Sequence, residues 1–261
     1  MFDGKQIREE ILKELADKIV LMDPKPILAE IVVGEDPVVL KYAELKKNLA
    51  EKVGITFNIY QFESDAPEEE ILECIEFLND DFETNGIMIQ IPMPKSFDRA
   101  KLITAISPAK DVDGLRYCQG LDSDFRPPVA EAILEALKRS EKDLKTSQIA
   151  LIGHGFLVGK PLEKALKDLD IQVSVFESGS SIAKLDKFDI VISATGKAGI
   201  IKPEMVSDDV VLIDAGTAEE NGELKGDIDP ETYKKALYYT PVPGGIGPVT
   251  VAMLFRNLVS K

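Results

Sequence analysis

Short aliphatic runs alternate along this chain with stretches whose apolar residues repeat at helical spacing, and that alternation restricts the fold more than any other feature. Ile7, Ile11, Leu15 and Ile19 recur every four residues behind Asp3, which is placed to cap a helix together with Gln6. Residues 26–34 read as a strand ending at Gly34, and 38–52 as a helix stopped by Gly54. Residues 56–62, rich in aromatic and β-branched side chains, form a second strand. A helix then runs from Pro67 to about residue 79, followed by a strand over 86–91 closed by Pro92 and Pro94. The later half repeats this logic, with strands at 148–153, 173–176, 190–193 and 210–214 and a helix over 162–169. Tyr238 and Tyr239 lead into a segment from Thr240 to Pro248 too rich in Gly and Pro to be regular, and a last helix covers 248–259. Such alternation implies the α/β class, with parallel sheets covered by helices. Neither periodicity holds over 115–125, so two lobes with a cleft between them are expected. The first is an αβα parallel-sheet domain of residues 1–118 with the C-terminal helix 248–261; the second is a Rossmann-type nucleotide-binding domain of residues 119–247.

Charge and cysteine usage narrow the function classes. Lysine and arginine number 31 against 46 aspartates and glutamates, a formal net charge of −15. A general nucleic-acid or anionic-membrane binder needs an electropositive face, so neither partner is expected. Cys74 and Cys118 form no CxxC pair, which argues against a disulfide framework or a zinc site and for a reducing cytoplasm. The first residues lack a signal-peptide pattern, and no apolar run approaches the roughly 18 residues of a membrane span. A soluble, cytoplasmic protein is the expectation.

Several residues are candidates for chemistry. Gly153-His154-Gly155-Phe156-Leu157-Val158-Gly159 follows an apolar strand and opens a helix, where glycines permit a tight turn and helix amides can meet a pyrophosphate. Its spacing is GxGxxxG, not GxGxxG. Glu177 lies 18 residues beyond Gly159, where a carboxylate can accept from the 2′-hydroxyl of NAD and repel the 2′-phosphate of NADP; the plain alternative is a solvated loop glutamate. Tyr42 and Lys46 are four apart and share a helix face, where an aromatic ring beside an amine could stack on a flat substrate and move a proton, although spacing alone favours a solvated face. Gln90 sits near the end of a strand, where ligands gather in parallel sheets. Lys110-Asp111-Val112-Asp113-Gly114 is either a turn or a carboxylate site. His154 is the only histidine, which removes multi-histidine metal sites and, inside a glycine turn, a Ser-His-Asp triad. No metal is expected.

Taken in order, Tyr42-x-x-x-Lys46, the segment from Gly86 through Gln90 to Pro94, Lys110-Asp111-Val112-Asp113-Gly114 and the segment from Thr240 to Thr250 resemble the bifunctional methylenetetrahydrofolate dehydrogenase/cyclohydrolase family. The resemblance spans nearly the whole chain from Asp3. It implies oxidation of 5,10-methylenetetrahydrofolate to the methenyl cation with hydride passing to a nicotinamide, then hydrolysis to 10-formyltetrahydrofolate. Residues 1–118 with the last helix become the folate-binding catalytic domain. By position Lys46 matches the family's essential lysine, which assists water attack and proton transfer. Tyr42 matches the tyrosine stacked on folate, Gln90 the glutamine that tunes the lysine, and Asp113 the carboxylate gripping the pterin edge. Pro243, Gly247 and Thr250 match the loop that closes over folate, and the candidate cofactor set is Gly153, His154, Gly155, Glu177, Ser178, Thr195, Gly196 and Thr217. A homodimer is also implied.

The cofactor half departs from the family pattern. Gly153-His154-Gly155 stands where Gly-Arg-Ser is usual, Pro127-Pro128-Val129-Ala130 where Pro-Cys-Thr-Pro is usual, and Glu177 where a histidine is common, while Ser178 is kept. Leu45 replaces a frequent serine. The expected cofactor is therefore NADP or NAD, leaning toward NAD, with a cyclohydrolase of weak or lost dehydrogenase activity as the alternative. Short-chain dehydrogenases also carry Tyr-x-x-x-Lys, but after the glycine turn, whereas Tyr42 precedes Gly153. A folate- or nucleotide-binding module without chemistry is the non-enzyme alternative.

Overall fold

In the structure, a computed structural model describing residues 1–220 and 222–260, Asp3 does cap the first helix. Its carboxylate accepts the N–H groups of Lys5 and Gln6 at 3.1 and 3.0 Å, and α1 (Gly4–Ile19) follows. Then come β1 (Ile27–Val33), α2 (Pro37–Val53), β2 (Thr56–Phe62), α3 (Glu68–Asp80) and β3 (Thr84–Ile89). α2 starts on Pro37 with Asp36 capping the Val38 N–H at 2.8 Å, and Gly54 ends it in the left-handed conformation. Two short helices were not legible in the sequence: α4 (Arg99–Ala105), capped by Asp98, and α5 (Leu115–Cys118). The three strands form one parallel sheet ordered β2-β1-β3. β1 is central, so its residues are buried on both faces, and the register sets Glu30 between Ile59 and Met88.

The remaining elements are α6 (Pro128–Arg139), β4 (Ile149–Ile152), α7 (Gly159–Asp168), β5 (Ser174–Phe176), β6 (Ile190–Ser193), β7 (Val210–Asp214), β8 (Ala218–Glu220), β9 (Glu223–Lys225), β10 (Ala236–Thr240) and α8 (Ile246–Val259). β4, β5, β6, β7 and β10 form a parallel sheet ordered β10-β7-β6-β4-β5, and β8 and β9 a small antiparallel hairpin. Here the sequence reading needs correcting. Tyr238 and Tyr239 do not merely lead into a loop but lie on β10, pairing with Val211 and Leu212. Their β propensity is expressed because the strand docks on β7 and Tyr239 stacks on Tyr233 at 4.5 Å between ring centroids. The last helix likewise starts at Ile246, two residues ahead of Pro248. Under the sheet, Ile152, Leu185, Phe188, Val191 and Leu212 form a common core.

The chain divides into two compact units, each described here by itself. One comprises Glu9–Pro128 and the end of α8 from Leu254; the other comprises Met1–Arg8 and Val129–Met253. The division therefore falls at Pro128/Val129, not between residues 118 and 119. Hydrogen bonding explains the difference. The Arg116 guanidinium donates to the carbonyls of Asp122, Thr104 and Ile106, and Asn257 donates to those of Val112 and Arg126, tying 119–127 to the first unit. At the other end, the Phe2 N–H donates to Tyr239 O at 2.8 Å and the Gly4 N–H to Gly244 O at 2.9 Å, which fixes the first residues in the second unit.

Two fully buried carboxylates brace the loops after β6 and β7. Asp227 accepts from Ser193 Oγ and from the N–H groups of Thr195 and Lys197 at 2.7, 2.6 and 2.9 Å. Asp214 accepts from the N–H groups of Gly216, Asp227 and Ile228 and from the Tyr233 hydroxyl. A Cβ at Gly216 would lie 2.0 Å from the Asp227 carboxylate, and one at Gly226 2.2 Å from that of Asp214, so each acid rests against glycine backbone. Burial pushes the Asp214 carboxyl up to about 7, with the Asp227 charge adding to the rise. The folded chain thus binds this proton more tightly than the unfolded chain, and stability falls as pH climbs from about 4 to about 7. Asp214→Asn is expected to flatten that part of the stability–pH curve, on the order of 4 kcal/mol across the window, in denaturant titrations at several pH values.

Candidate functional site

Lys46 lies on the buried side of α2, only 8 % exposed, whereas Tyr42 one turn earlier is 59 % exposed. The spacing that suggested a shared face thus gives an accessible ring and an enclosed amine on adjacent turns. The Lys46 Nζ donates to Oε1 of Glu30 and to Oε1 of Gln90, the latter at 2.5 Å. Gln90 directly follows β3 and is held by both ends of its amide chemistry. Its backbone N–H extends the sheet to Ile31 O at 2.9 Å, and its Nε2 donates to Ile91 O at 2.9 Å, which leaves the amide oxygen for the lysine.

Glu30 was missing from the sequence candidates. The signal was available: it is the one charged residue in the otherwise apolar strand Ile27–Val33, and a central parallel strand buries both faces. Its carboxylate is fully buried, and Oε2 has no hydrogen-bond partner among the described residues. Burial pushes the Glu30 carboxyl above its ordinary range, while the Lys46 charge pulls it back down.

The two aspartates of the Lys110–Gly114 segment separate into different tasks. Asp111 accepts the N–H groups of Leu115 and Arg116 at 3.0 and 2.8 Å and the Ser123 hydroxyl at 3.1 Å, so it anchors the start of α5. Lys110 is equally structural, donating to the last carbonyls of α3 at Leu78 and Asn79 and to Asp81 O. Asp113 is half-buried, and desolvation pushes its carboxyl up to about 7; Lys46 lowers it, and the charges of Asp111 and Glu30 raise it further. Lys46, Glu30, Gln90 and Asp113 therefore form one interacting cluster within this unit.

The other unit holds a separate crevice of about 540 Å³ at the carboxyl ends of β4, β5 and β6. Gly153, His154, Gly155, Glu177, Ser178 and Thr195 from the predicted cofactor set line it, together with the unpredicted Lys160 and Lys197. Gly196 and Thr217 are not in its lining; Gly196 follows Thr195 in the loop that Asp227 braces. The turn is tight because a Cβ at Gly159 would meet Gly153 O at 2.1 Å, while the space at Gly155 is open. His154 bridges two carboxylates, with Nδ1 2.8 Å from Glu177 and Nε2 2.8 Å from Glu163 on α7. Glu163 is in turn paired with Lys167 at 2.7 Å, and its carboxyl lies below the ordinary range chiefly for that reason. Pro243, Gly247 and Thr250 belong to this unit, with Thr250 Oγ1 donating to Ile246 O at 3.3 Å inside α8.

Residues 2–113 match the family model described as tetrahydrofolate dehydrogenase/cyclohydrolase, catalytic domain, and residues 127–261 match that of its NAD(P)-binding domain. The chain belongs to the tetrahydrofolate dehydrogenase/cyclohydrolase family. It is 38 % identical to the bifunctional protein FolD of Nautilia profundicola, over 99 % of this chain and 95 % of that protein. Among solved structures, it is similar to the bifunctional FolD methylenetetrahydrofolate dehydrogenase/cyclohydrolase of Campylobacter jejuni, with a TM-score of 0.93 and 32 % identity over 99 % of this chain and 96 % of that one. The Trypanosoma brucei FolD, solved with NADP and an inhibitor, gives a TM-score of 0.90 and 27 % identity over 100 % and 96 % of the two chains. The Lys46 cluster thus sits in the catalytic domain of a FolD-type chain and the glycine-turn crevice in its NAD(P)-binding domain. Among the described residues, no group of three or more His, Cys, Asp and Glu is placed to hold a metal, and no helix is long and apolar enough to cross a membrane.

Lys46→Met would strand the Glu30 carboxylate in the sheet. The expected loss is about 3 kcal/mol near neutral pH, smaller in acid because a neutral Glu30 costs less to bury. Denaturant titrations of Lys46→Met and of the Glu30→Leu/Lys46→Met double variant check this, with the double change recovering most of the loss.

Proposed function

We infer that this protein oxidises 5,10-methylenetetrahydrofolate to the 5,10-methenyl cation with a nicotinamide cofactor and hydrolyses that cation to 10-formyltetrahydrofolate. The observation that carries the reading is the Lys46 amine, enclosed between Glu30 and Gln90 with Asp113 in electrostatic reach, in a chain of this family. No finding favours the alternative of a hydrolase stripped of its redox activity.

Lys46 acts on the attacking water. As a free amine it takes a proton from water as the oxygen adds to the methenyl carbon, a task that suits a base with little exposure to solvent. Gln90 orients the amine through its amide oxygen, which its own donation to Ile91 O fixes in place. Asp113 grips the amino-pyrimidine edge of the pterin; a carboxyl that titrates near neutrality can accept from that edge when ionised. Tyr42, exposed one turn from Lys46, offers its ring face for stacking on the folate. The family resemblance assigns Pro243, Gly247 and Thr250 to folate binding as well.

The crevice of the NAD(P)-binding domain fits a dinucleotide: Gly155 leaves its floor clear, the glycine turn opens α7, and Lys160 and Lys197 bring positive charge for a pyrophosphate. Gly153, His154, Gly155, Ser178 and Thr195 would hold it, with Gly196 and Thr217 in the adjoining loops. Bound there, the nicotinamide supplies the hydride acceptor for the first reaction. Glu177, held by His154, favours NAD over NADP because its carboxylate accepts from a ribose hydroxyl and repels a 2′-phosphate.

Two measurements test the reading. Lys46→Met is expected to lose about a thousandfold in hydrolysis of methenyltetrahydrofolate, followed by its absorbance, and full retention would refute the role of the amine. The ratio of dehydrogenase kcat/KM with NAD to that with NADP is expected to exceed about tenfold in the wild type and to drop at least tenfold in Glu177→Ser. A wild type that prefers NADP would overturn the assignment of Glu177.

A further inference from the structure

We propose that Glu30 is a positioning residue for the hydrolysis: a proton store behind Lys46 that takes the ammonium proton and leaves the amine free to act on water. The proposal rests on the reading of Lys46 as the base in that step. Geometry carries it. The carboxylate contacts Nζ directly through Oε1, and it lies deeper than the amine, 0 % exposed against 10 % for the lysine side chain. A cationic substrate arriving from the accessible side therefore meets Nζ before the carboxylate. A positive charge there disfavours the ion pair, whose positive end faces it, relative to the neutral pair.

The surroundings of the carboxylate agree. Oε2 is buried without a hydrogen-bond partner among the described residues, a situation far more costly for an ionised oxygen than for the carbonyl of a neutral acid. Leu28, Ala29, Ile31 and Val32 around it in β1 are fully buried and offer no replacement donor. Of the titratable groups in electrostatic reach, Lys46 from α2 and Asp113 bear on the pair directly, with Asp111 behind Asp113. The two groups of such a contact exchange a proton directly, so protonation belongs to the pair and not to either residue.

The step balances without an outside reagent. The Nζ–H bond breaks, its electron pair stays on nitrogen, and an O–H bond forms on Oε1 of Glu30. The Nζ lone pair then takes a proton from water as the hydroxide oxygen bonds to the methenyl carbon. The pair now carries one proton more than at the start. The extra proton leaves through Nζ, the end of the pair that is not fully enclosed, and Glu30 then returns its own proton to the amine; this matches the one proton that hydrolysis of the cation to the neutral formyl product liberates, and nothing is oxidised or reduced.

The pH profile of the hydrolysis decides the matter. Because the amine passes its proton to Glu30 within the contact and not to solvent, wild-type kcat for methenyltetrahydrofolate is expected to be flat between about pH 6 and 9. Glu30→Gln leaves the lysine to lose its proton to bulk water, so its kcat is expected to fall at least tenfold near pH 7 and to rise with unit slope as pH increases, with KM within about threefold of wild type. Glu30→Asp, which keeps the charge but withdraws it from Nζ, is expected to show the same limb with a smaller drop. A wild-type kcat that itself climbs with unit slope through neutrality overturns the proposal, as does a flat profile in a folded Glu30 variant. If Lys46→Met retains hydrolysis, it is the base assignment that fails; if Lys46→Met is dead while the Glu30 variants keep the wild-type profile, only the proton store fails.

Discussion

Moving an ammonium and a carboxylate out of water costs several kcal/mol per ion, and only close mutual contact with further hydrogen bonds recovers it. The Lys46–Glu30 contact meets that condition incompletely. The amine has two acceptors, Glu30 and Gln90, while one carboxylate oxygen has no donor among the described residues. Everything local is arranged around the pair: β1 brings Glu30 to the centre of the sheet, α2 delivers Lys46 from its capped start at Asp36, and the extension of β3 sets Gln90 opposite. An arrangement that is imperfect as packing is suited to chemistry, because a group without full satisfaction can change its protonation at modest cost.

Much of this was legible in the sequence because the strands announce themselves. A run such as Ile190–Ser193, apolar and bounded by polar residues, has few other fates, and the capped start at Asp3 and the stop at Gly54 fell where local chemistry placed them. α6 escaped although its own sequence is amphipathic; other elements escaped because their identity depends on a neighbour. β10 is a strand because β7 receives it and Tyr233 stacks on Tyr239; α5 is a helix because Asp111 holds its first N–H groups. The same holds at the site. Lys46, Gln90 and Asp113 were visible through their motifs, whereas Glu30 belongs to no such motif and is marked only by being the one charge in an apolar strand that the structure places at the centre of its sheet.

In the NAD(P)-binding domain, the lining of the crevice and the scaffold beneath it are carried by different residues. Asp214 and Asp227 are fully buried and committed to backbone N–H groups, while the Glu177 side chain is largely exposed and meets the ring of His154. His154 joins the two layers, since it stands in the glycine turn yet reaches both Glu177 and Glu163.

That layering bears on how such a chain can drift over generations. The acids that rest against Gly216 and Gly226 leave no room for even a methyl group, so those four positions are frozen together. The rim at Glu177 and Ser178 carries no comparable restriction. The rim of the crevice can therefore change by single replacements while the braced loops beneath it stay as they are.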